Sequence, residues 1–197
     1  MPNAIILLAA GSSSRLGQPK QLLQFQGQTL LRRAAETAVT AAAGVPVVVV
    51  TGALHQELLP ELAGLPVQVV CNSDWAAGMG SSIQTGLTFL ETLLPATDGV
   101  TVMLCDQPFV TPALLAELRE THARTGRSIV ASAYAKTQGV PVYFAAEAVP
   151  LLRALPAGAG AGHLLRQHGA LVAAVPFALG AVDVDTPEQY AALLAGQ

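Results

Sequence analysis

The sequence predicts an α/β fold, and three observations carry the prediction. Helical patterns alternate with β-branched apolar runs along most of the chain. Two of those runs, Val47-Val48-Val49-Val50 and Val100-Thr101-Val102-Met103-Leu104, are continuous rather than alternating, as strands are when helices cover both faces of a parallel sheet. A length of 197 residues suits one core, which is expected up to roughly 250 residues. Together they give a single domain over 1–197, a three-layer sandwich around a mostly parallel sheet.

Taken in order, the first strand is 4–10, from Ile5-Ile6-Leu7-Leu8, and a helical pattern follows at 29–43. Strand 46–51, helix 54–63, strand 66–71, helix 80–93 and strand 99–104 repeat the βα order. The second half continues with helix 112–125 after Thr111, strand 128–134, an extended segment at 140–144 and helix 145–154. It closes with helix 163–168, strand 171–175 and a last helix, 187–195, opened by Pro187. The low-complexity run Ala157-Gly158-Ala159-Gly160-Ala161-Gly162 reads as a mobile loop or a lid. No Pro- or Ser-rich linker divides the chain.

Composition excludes several classes. Apolar residues make up 52% and charged residues 12%, so the chain is core-forming and not disordered. Net charge is −3 and no block of like charge occurs, which argues against a nucleic-acid-coating surface. Cys71 and Cys105 each end an apolar run and read as buried thiols in a reducing cytoplasm. The four histidines form no zinc spacing. The N-terminal apolar stretch is short and lacks a basic region, so it does not read as an export signal. Residues 37–56 carry no charge but are broken by Thr, Gly and Pro, so they read as helix, turn and strand rather than a membrane span.

Four clusters carry chemistry. Residues 8–23, LAAGSSSRLGQPKQLL, leave the first strand through Gly11, Ser12, Ser13 and Ser14 and then present Arg15 and Lys20. Such a turn offers backbone N–H groups to phosphate, with Arg as a donor fork and Lys as a compact charge. The chain holds only two lysines, Lys20 and Lys136. Neither Walker A nor G-x-G-x-x-G spacing is present. Asn72-Ser73-Asp74-Trp75-Ala76-Ala77-Gly78-Met79-Gly80-Ser81-Ser82 opens a helix and reads either as a cap or as a base and ribose pocket. Asp106, in Cys105-Asp106-Gln107-Pro108, follows a buried strand, where a carboxylate faces the crevice. Mg²⁺ is normally held there by one or two carboxylates plus substrate phosphates. Turn or helix capping is the alternative for Asp106. In Asp183-Val184-Asp185-Thr186-Pro187-Glu188, positions 183 and 185 point the same way if extended, and a cap on the last helix by Asp185 or Thr186 is the alternative.

The order of these clusters resembles the molybdopterin-type nucleotidyltransferases, and more narrowly the molybdenum cofactor cytidylyltransferases. The resemblance runs through LAAGSSSRLGQPKQLL, NSDWAAGMGSSI, CDQP, GVPVYF at 139–144 and DVDTPEQY. It implies a Rossmann-like fold with a nucleotide-binding half near 1–110 and an acceptor-binding half near 111–197. It implies transfer of CMP from CTP to the terminal phosphate of molybdopterin, with pyrophosphate leaving. Leu8, Ala9 and Ala10 would line the base pocket, Gly11 to Arg15 would wrap the triphosphate and Lys20 would neutralise it. Asn72, Gly78, Gly80, Ser81 and Ser82 would complete base and ribose contacts. Arg15, Lys20 and Asp106 would carry catalysis, and Asp106 would bind Mg²⁺ with Asp185 as second carboxylate and Asp183 as the alternative. Ala10, where related guanylyltransferases have glycine, would favour cytosine.

The acceptor side departs from the family. A Gly-Asp-x-Gly-Ala-Arg-like segment is replaced by the glycine-alanine run, leaving His163 and Arg166 to replace the lost charge, and no His precedes Pro141. Two other readings therefore stand beside the first: transfer to another phosphorylated small molecule, or a non-catalytic cofactor carrier for a molybdenum hydroxylase of the xanthine dehydrogenase type.

Overall fold

The computed structural model describes residues 3–13 and 16–195. The first half lays down β1 (Ala4–Leu8), a two-strand hairpin of β2 (Gln24–Phe25) and β3 (Gln28–Thr29), and α1 (Leu30–Ala42). It continues with β4 (Val47–Thr51), α2 (His55–Leu62), β5 (Gln68–Cys71), α3 (Met79–Leu93) and β6 (Gly99–Leu104). The second half adds α4 (Pro112–Thr125), β7 (Ile129–Tyr134), β8 (Thr137–Ala145), α5 (Val149–Arg153), α6 (Ala161–Gln167), β9 (Val172–Pro176) and α7 (Pro187–Ala195). Seven strands form one sheet in the order β5-β4-β1-β6-β8-β7-β9. All run in one direction except β8, which is antiparallel to β6 and to β7.

The continuous apolar runs sit where the sequence requires. Ile5, Leu7, Val47, Val49 and Met103 pack with α1, α2 and α4 on one face. Ala4, Ile6, Leu8, Val48, Val50, Val100 and Val102 pack with α3, α5 and α6 on the other. Alternate residues of the same strand thus feed two separate cores, the three-layer arrangement. A third, smaller cluster joins Leu16, Leu23, Phe25 and Leu30 to Val184 and Leu193, tying the N-terminal segment to the end of the chain.

Several elements differ from the sequence reading. β8 begins at Thr137 rather than 140, because β7 and β8 are joined by a two-residue turn in which Tyr134 pairs with Thr137. Ala135 and Lys136 in that turn have φ of 46° and 60°, without the Asn or Gly that normally marks it. Helix 145–154 is instead a single 3₁₀ turn, Ala146–Ala148, followed by the short α5. The hairpin β2–β3 and a 3₁₀ turn at Lys20–Leu22 were not read from the sequence. Among the described residues no helix is long and apolar enough to cross a membrane.

α3 approaches the sheet closely at Gly86, where a Cβ would lie 2.8 Å from Ile6 Cγ2 and 3.0 Å from Val50 Cγ2. Alanine is favoured over glycine in a helix by about 1 kcal/mol. Overpacking a rigid core costs about 1–3 kcal/mol, so the second effect wins. Gly86→Ala is expected to destabilise the protein, lowering Tm by about 2–4 °C per kcal/mol, measured by calorimetry. An unchanged or raised Tm would show that α3 can shift away from the sheet.

Candidate functional site

β1 and β6 are parallel neighbours in the sheet, so the loop leaving Leu8 and the Cys105-Asp106 pair emerge side by side. This is the C-terminal edge of the parallel strands, where open α/β sheets bind ligands. Lys20 Nζ lies 2.5 Å from Asp106 Oδ2 and 2.9 Å from Asp185 Oδ1. One ammonium therefore joins three segments that lie 86 and 165 residues apart. Burial works against the charge on Lys20, but the Coulombic pull of Asp106 and the hydrogen bonds to Asp106 and Asp185 outweigh it and hold the lysine above its ordinary range. It is a fixed positive charge.

The loop itself is held by a residue whose role the sequence reading missed. Gln21 is fully buried, and its Nε2 donates to Ala9 O (3.1 Å) and Gly11 O (2.7 Å) while its Oε1 accepts from Ser13 Oγ (3.1 Å). Ser13 Oγ in turn accepts from the Lys20 amide (3.0 Å), and Ser13 has a left-handed φ of 57°. The 3₁₀ turn after Pro19 aims Gln21 inward and leaves Lys20 facing the carboxylates. Beyond β1, Ala9 N donates to Val50 O and Ala53 N donates to Ala10 O. A Cβ on Gly52 would fall 2.6 Å from Ala10 O, so glycine there permits the approach. Ser14 and Arg15 lie outside the described residues.

The capping alternatives for the acids are resolved by their neighbours. Thr111 Oγ1 accepts from Leu114 N and caps α4, so Asp106 is not its cap. Before α7, Thr186 Oγ1 accepts from Gln189 N (3.3 Å), and Gln189 Oε1 accepts from the amides of Thr186 and Asp185 (2.9 Å each). This is a capping box built on Thr186 and Gln189. It leaves the Asp185 carboxylate to Lys20. Asp183 Oδ1 accepts from Gln189 Nε2 (2.9 Å), and burial, with Asp185 and Asp106 nearby, pushes its carboxyl above the usual range.

The cluster at 72–82 divides. Asn72 Nδ2 donates to Ser81 Oγ (2.9 Å) and Ser82 Oγ (3.0 Å), so these three side chains are engaged with one another. Gly78 and Gly80 form the seat of the glycine-alanine loop. A Cβ on Gly80 would stand 2.1 Å from Pro156 O and one on Gly78 would stand 2.7 Å from Gly158 Cα. Ser81 N also donates to Ala157 O (3.1 Å), and Gln84 Nε2 to Leu155 O (2.5 Å). The run expected as a mobile loop is therefore docked on the start of α3.

A cavity of about 470 Å³ opens over these groups. Of the residues expected from sequence, Leu8, Ala9, Ala10, Gly11, Ser12, Ser13 and Lys20 line one side; Gly78 and Ser82 line another, and Asp106, Asp183 and Asp185 the third. Asn72, Gly80 and Ser81 do not line it; Asn72 and Ser81 face a separate shallow groove. Gln21, Trp75, Met79 and Leu104 line it without having been expected to. For Trp75 the signal was available, since it is the single tryptophan and sits between two expected contacts.

The carboxylates suit a hard cation completed by substrate. Asp106 Oδ1 is buried and has no hydrogen-bond partner, an open donor atom beside the cavity. Among the described residues no group of three His, Cys, Asp or Glu side chains could hold a metal unaided. Two carboxylates plus phosphates is the ordinary arrangement for Mg²⁺.

A polar loop pinned by Gln21 and acids gathered around one lysine, at the C-terminal ends of β1 and β6, define an open α/β protein with its main polar cavity at the sheet's crevice. Residues 5–172 match the family described as the MobA-like NTP transferase domain, and the chain belongs to that family. It is 36% identical to nicotine blue oxidoreductase of Paenarthrobacter nicotinovorans, over 96% of this chain and 95% of that one. It is 29% identical to the purine catabolism protein PucB of Bacillus subtilis, over 94% and 92%. Among solved structures, Rv0371c of Mycobacterium tuberculosis superposes with a TM-score of 0.79 at 28% identity, covering 99% of this chain and 98% of that one. A structure of Rv0371c in complex with manganese gives 0.75 at 26% identity, with both chains fully covered.

Gln21→Leu leaves Ala9 O without its buried donor, at about 1–3 kcal/mol, and frees the exposed Gly11 O. The variant is expected to lose at least about 1 kcal/mol in urea unfolding and to weaken nucleotide binding, followed by Trp75 fluorescence. Asp183→Asn tests the raised carboxyl. An acid with a raised folded pKa binds protons more tightly when native, so its charged form penalises the fold as pH rises above the ordinary 3.8. The variant is expected to have a higher Tm than wild type at neutral pH, the gap closing near pH 3, by calorimetry at both.

Proposed function

We propose that the protein is a nucleotidyltransferase that moves CMP from CTP to the terminal phosphate of molybdopterin. The observation that carries this is Lys20, fixed between Asp106 and Asp185 at the cavity, with one oxygen of Asp106 left open. A phosphate oxygen of the acceptor forms a bond to the α-phosphorus, the bond from that phosphorus to the bridging oxygen breaks, and pyrophosphate leaves. Every participant is anionic, so the chain's task is positioning and charge neutralisation. Lys20 and Arg15 neutralise the triphosphate, and the loop from Gly11 to Ser13, stiffened by Gln21, wraps it. Leu8, Ala9, Ala10, Trp75 and Met79 form the less polar wall against which the base lies. Asp106 and Asp185, with Asp183 as the alternative, would hold Mg²⁺, which supplies further charge neutralisation when bound.

The manganese complex of Rv0371c supports a divalent metal in this setting, and the name of PucB supports a recipient enzyme in purine catabolism, as a molybdenum hydroxylase of the xanthine dehydrogenase type would be. The 36%-identical relative favours a second reading, redox chemistry on a ligand in the same cavity. Cys105 supplies no thiolate for it: burial, with Asp106 adjoining, pushes that thiol up to about 12. A reductant would have to be bound.

Pyrophosphate release is measured with Mg²⁺, molybdenum-loaded molybdopterin and CTP or GTP in parallel, beside an assay of nicotine blue reduction by a reduced nicotinamide dinucleotide. A CTP-dependent burst matching the added cofactor is expected. Silence with both nucleotides alongside dye reduction would overturn the transferase reading in favour of the second. Lys20→Ala and Asp106→Ala are each expected to lose at least tenfold in rate, about 1.4 kcal/mol of barrier. Ala10→Gly is expected to narrow the preference for CTP over GTP.

A further inference from the structure

Both lysines of this charge-poor chain line a trough of three adjoining hollows that share wall residues. The cavity at Lys20 shares Leu104, Asp106 and Asp183 with a smaller cavity beside Gln107, and that one shares Tyr134, Ala135 and Thr137 with a groove of about 730 Å³. Lys136 and Arg166 line this last groove, and no carboxylate does. Lys136 stands at the tip of the β7–β8 turn, and β7 and β9 end beside it at the same sheet edge as Asp106. The trough floor is firm: Gln107 Nε2 donates to Val140 O (3.1 Å) and Gly180 O (3.2 Å), and the Tyr134 ring lies against Gly139 and Gly180, where a Cβ would meet it at 2.3–2.4 Å.

Among the described residues the two cations at the far end, like Arg119, make no ion pair and no side-chain hydrogen bond. Arg32 and Arg153 are paired with Glu36 and Glu91, and Arg33 and Arg127 donate to backbone carbonyls. Among the described residues neither Lys136 nor Arg166 has a carboxylate within ion-pair distance. Lys136 sits at a left-handed φ of 60°, as Ala135 beside it does at 46°, so the turn fixes the point from which the lysine side chain leaves the backbone.

The geometry points to Lys136 and Arg166 as the clamp for a second anionic group on the acceptor, at the end opposite the phosphate that receives the nucleotide. The acceptor class is then a two-ended anion lying along the trough, its reactive phosphate at Lys20 and Asp106 and its other negative group between Lys136 and Arg166. This assignment rests on the transferase reading for what the ligand does, but the clamp itself can be read without turnover.

The test is an NMR titration of isotope-labelled full-length protein with inorganic phosphate, in wild type and in the Lys136→Gln/Arg166→Gln double variant. Saturable shifts are expected at the amides of Ala135 to Gln138 and Gly162 to Arg166. In the double variant the affinity read at those amides should fall at least about tenfold, while shifts around Gly11 to Ser13 and the rest of the spectrum persist. Absence of shifts in the groove, or equal shifts in the double variant, overturns the clamp. With an active acceptor in hand, the double variant should raise its KM about tenfold with kcat nearly unchanged. Loss of pyrophosphate release in wild type with the groove shifts intact would defeat the transferase reading and leave the anion site standing.

Discussion

Everything at the ligand edge depends on one ammonium group shared by two carboxylates. Lys20 arrives on a turn after β1, Asp106 at the end of β6, and Asp185 just ahead of the last helix. Without the lysine, those carboxylates would repel in a partly buried setting, where unscreened like charges cost most. The arrangement has a functional edge as well as a structural one. A cation held between two acids leaves a local excess of negative charge, so further positive charge is tolerated beside it.

The site is built by backbone-directed side chains as much as by charged ones. Gln21 and Gln189 perform parallel tasks at opposite ends of the chain, each threading an amide through a loop so that a neighbouring acid or lysine faces the cavity. Between them, the small cluster of Leu16, Leu23, Phe25, Leu30, Val184 and Leu193 glues the two loops together from behind. Neutral amides suit this work because they supply both donor and acceptor without adding charge to the cavity.

Much of this was legible in the sequence. Continuous Val runs announced strands covered on both faces, and an acid directly after such a run announced the crevice, where the structure has Asp106 beside the loop from Gly11. What failed to show was anything that depends on the path of the chain in space. Gln21 looks like any other polar residue of the front motif, because nothing local tells that its side chain turns under the loop. Gly78 and Gly80 were read as permitting ligand approach, yet the backbone they admit is that of residues 156–158. The β7–β8 turn escaped because Ala135-Lys136 carries none of the residues that make such turns cheap.

The bond between Lys20 and Asp185 spans 165 residues, and the cluster behind the loop reaches as far as Leu193. On a growing polypeptide, the parallel pairs of β1 with β4 and β6 can be satisfied well before those residues exist. The contacts that join Lys20 to Asp185 therefore close after those of the parallel strands, since loop closure over so long a separation is slow compared with local pairing. A chain lacking residues 183–193 would keep the sheet and the Lys20–Asp106 pair but lose the second carboxylate and the cluster that backs the loop.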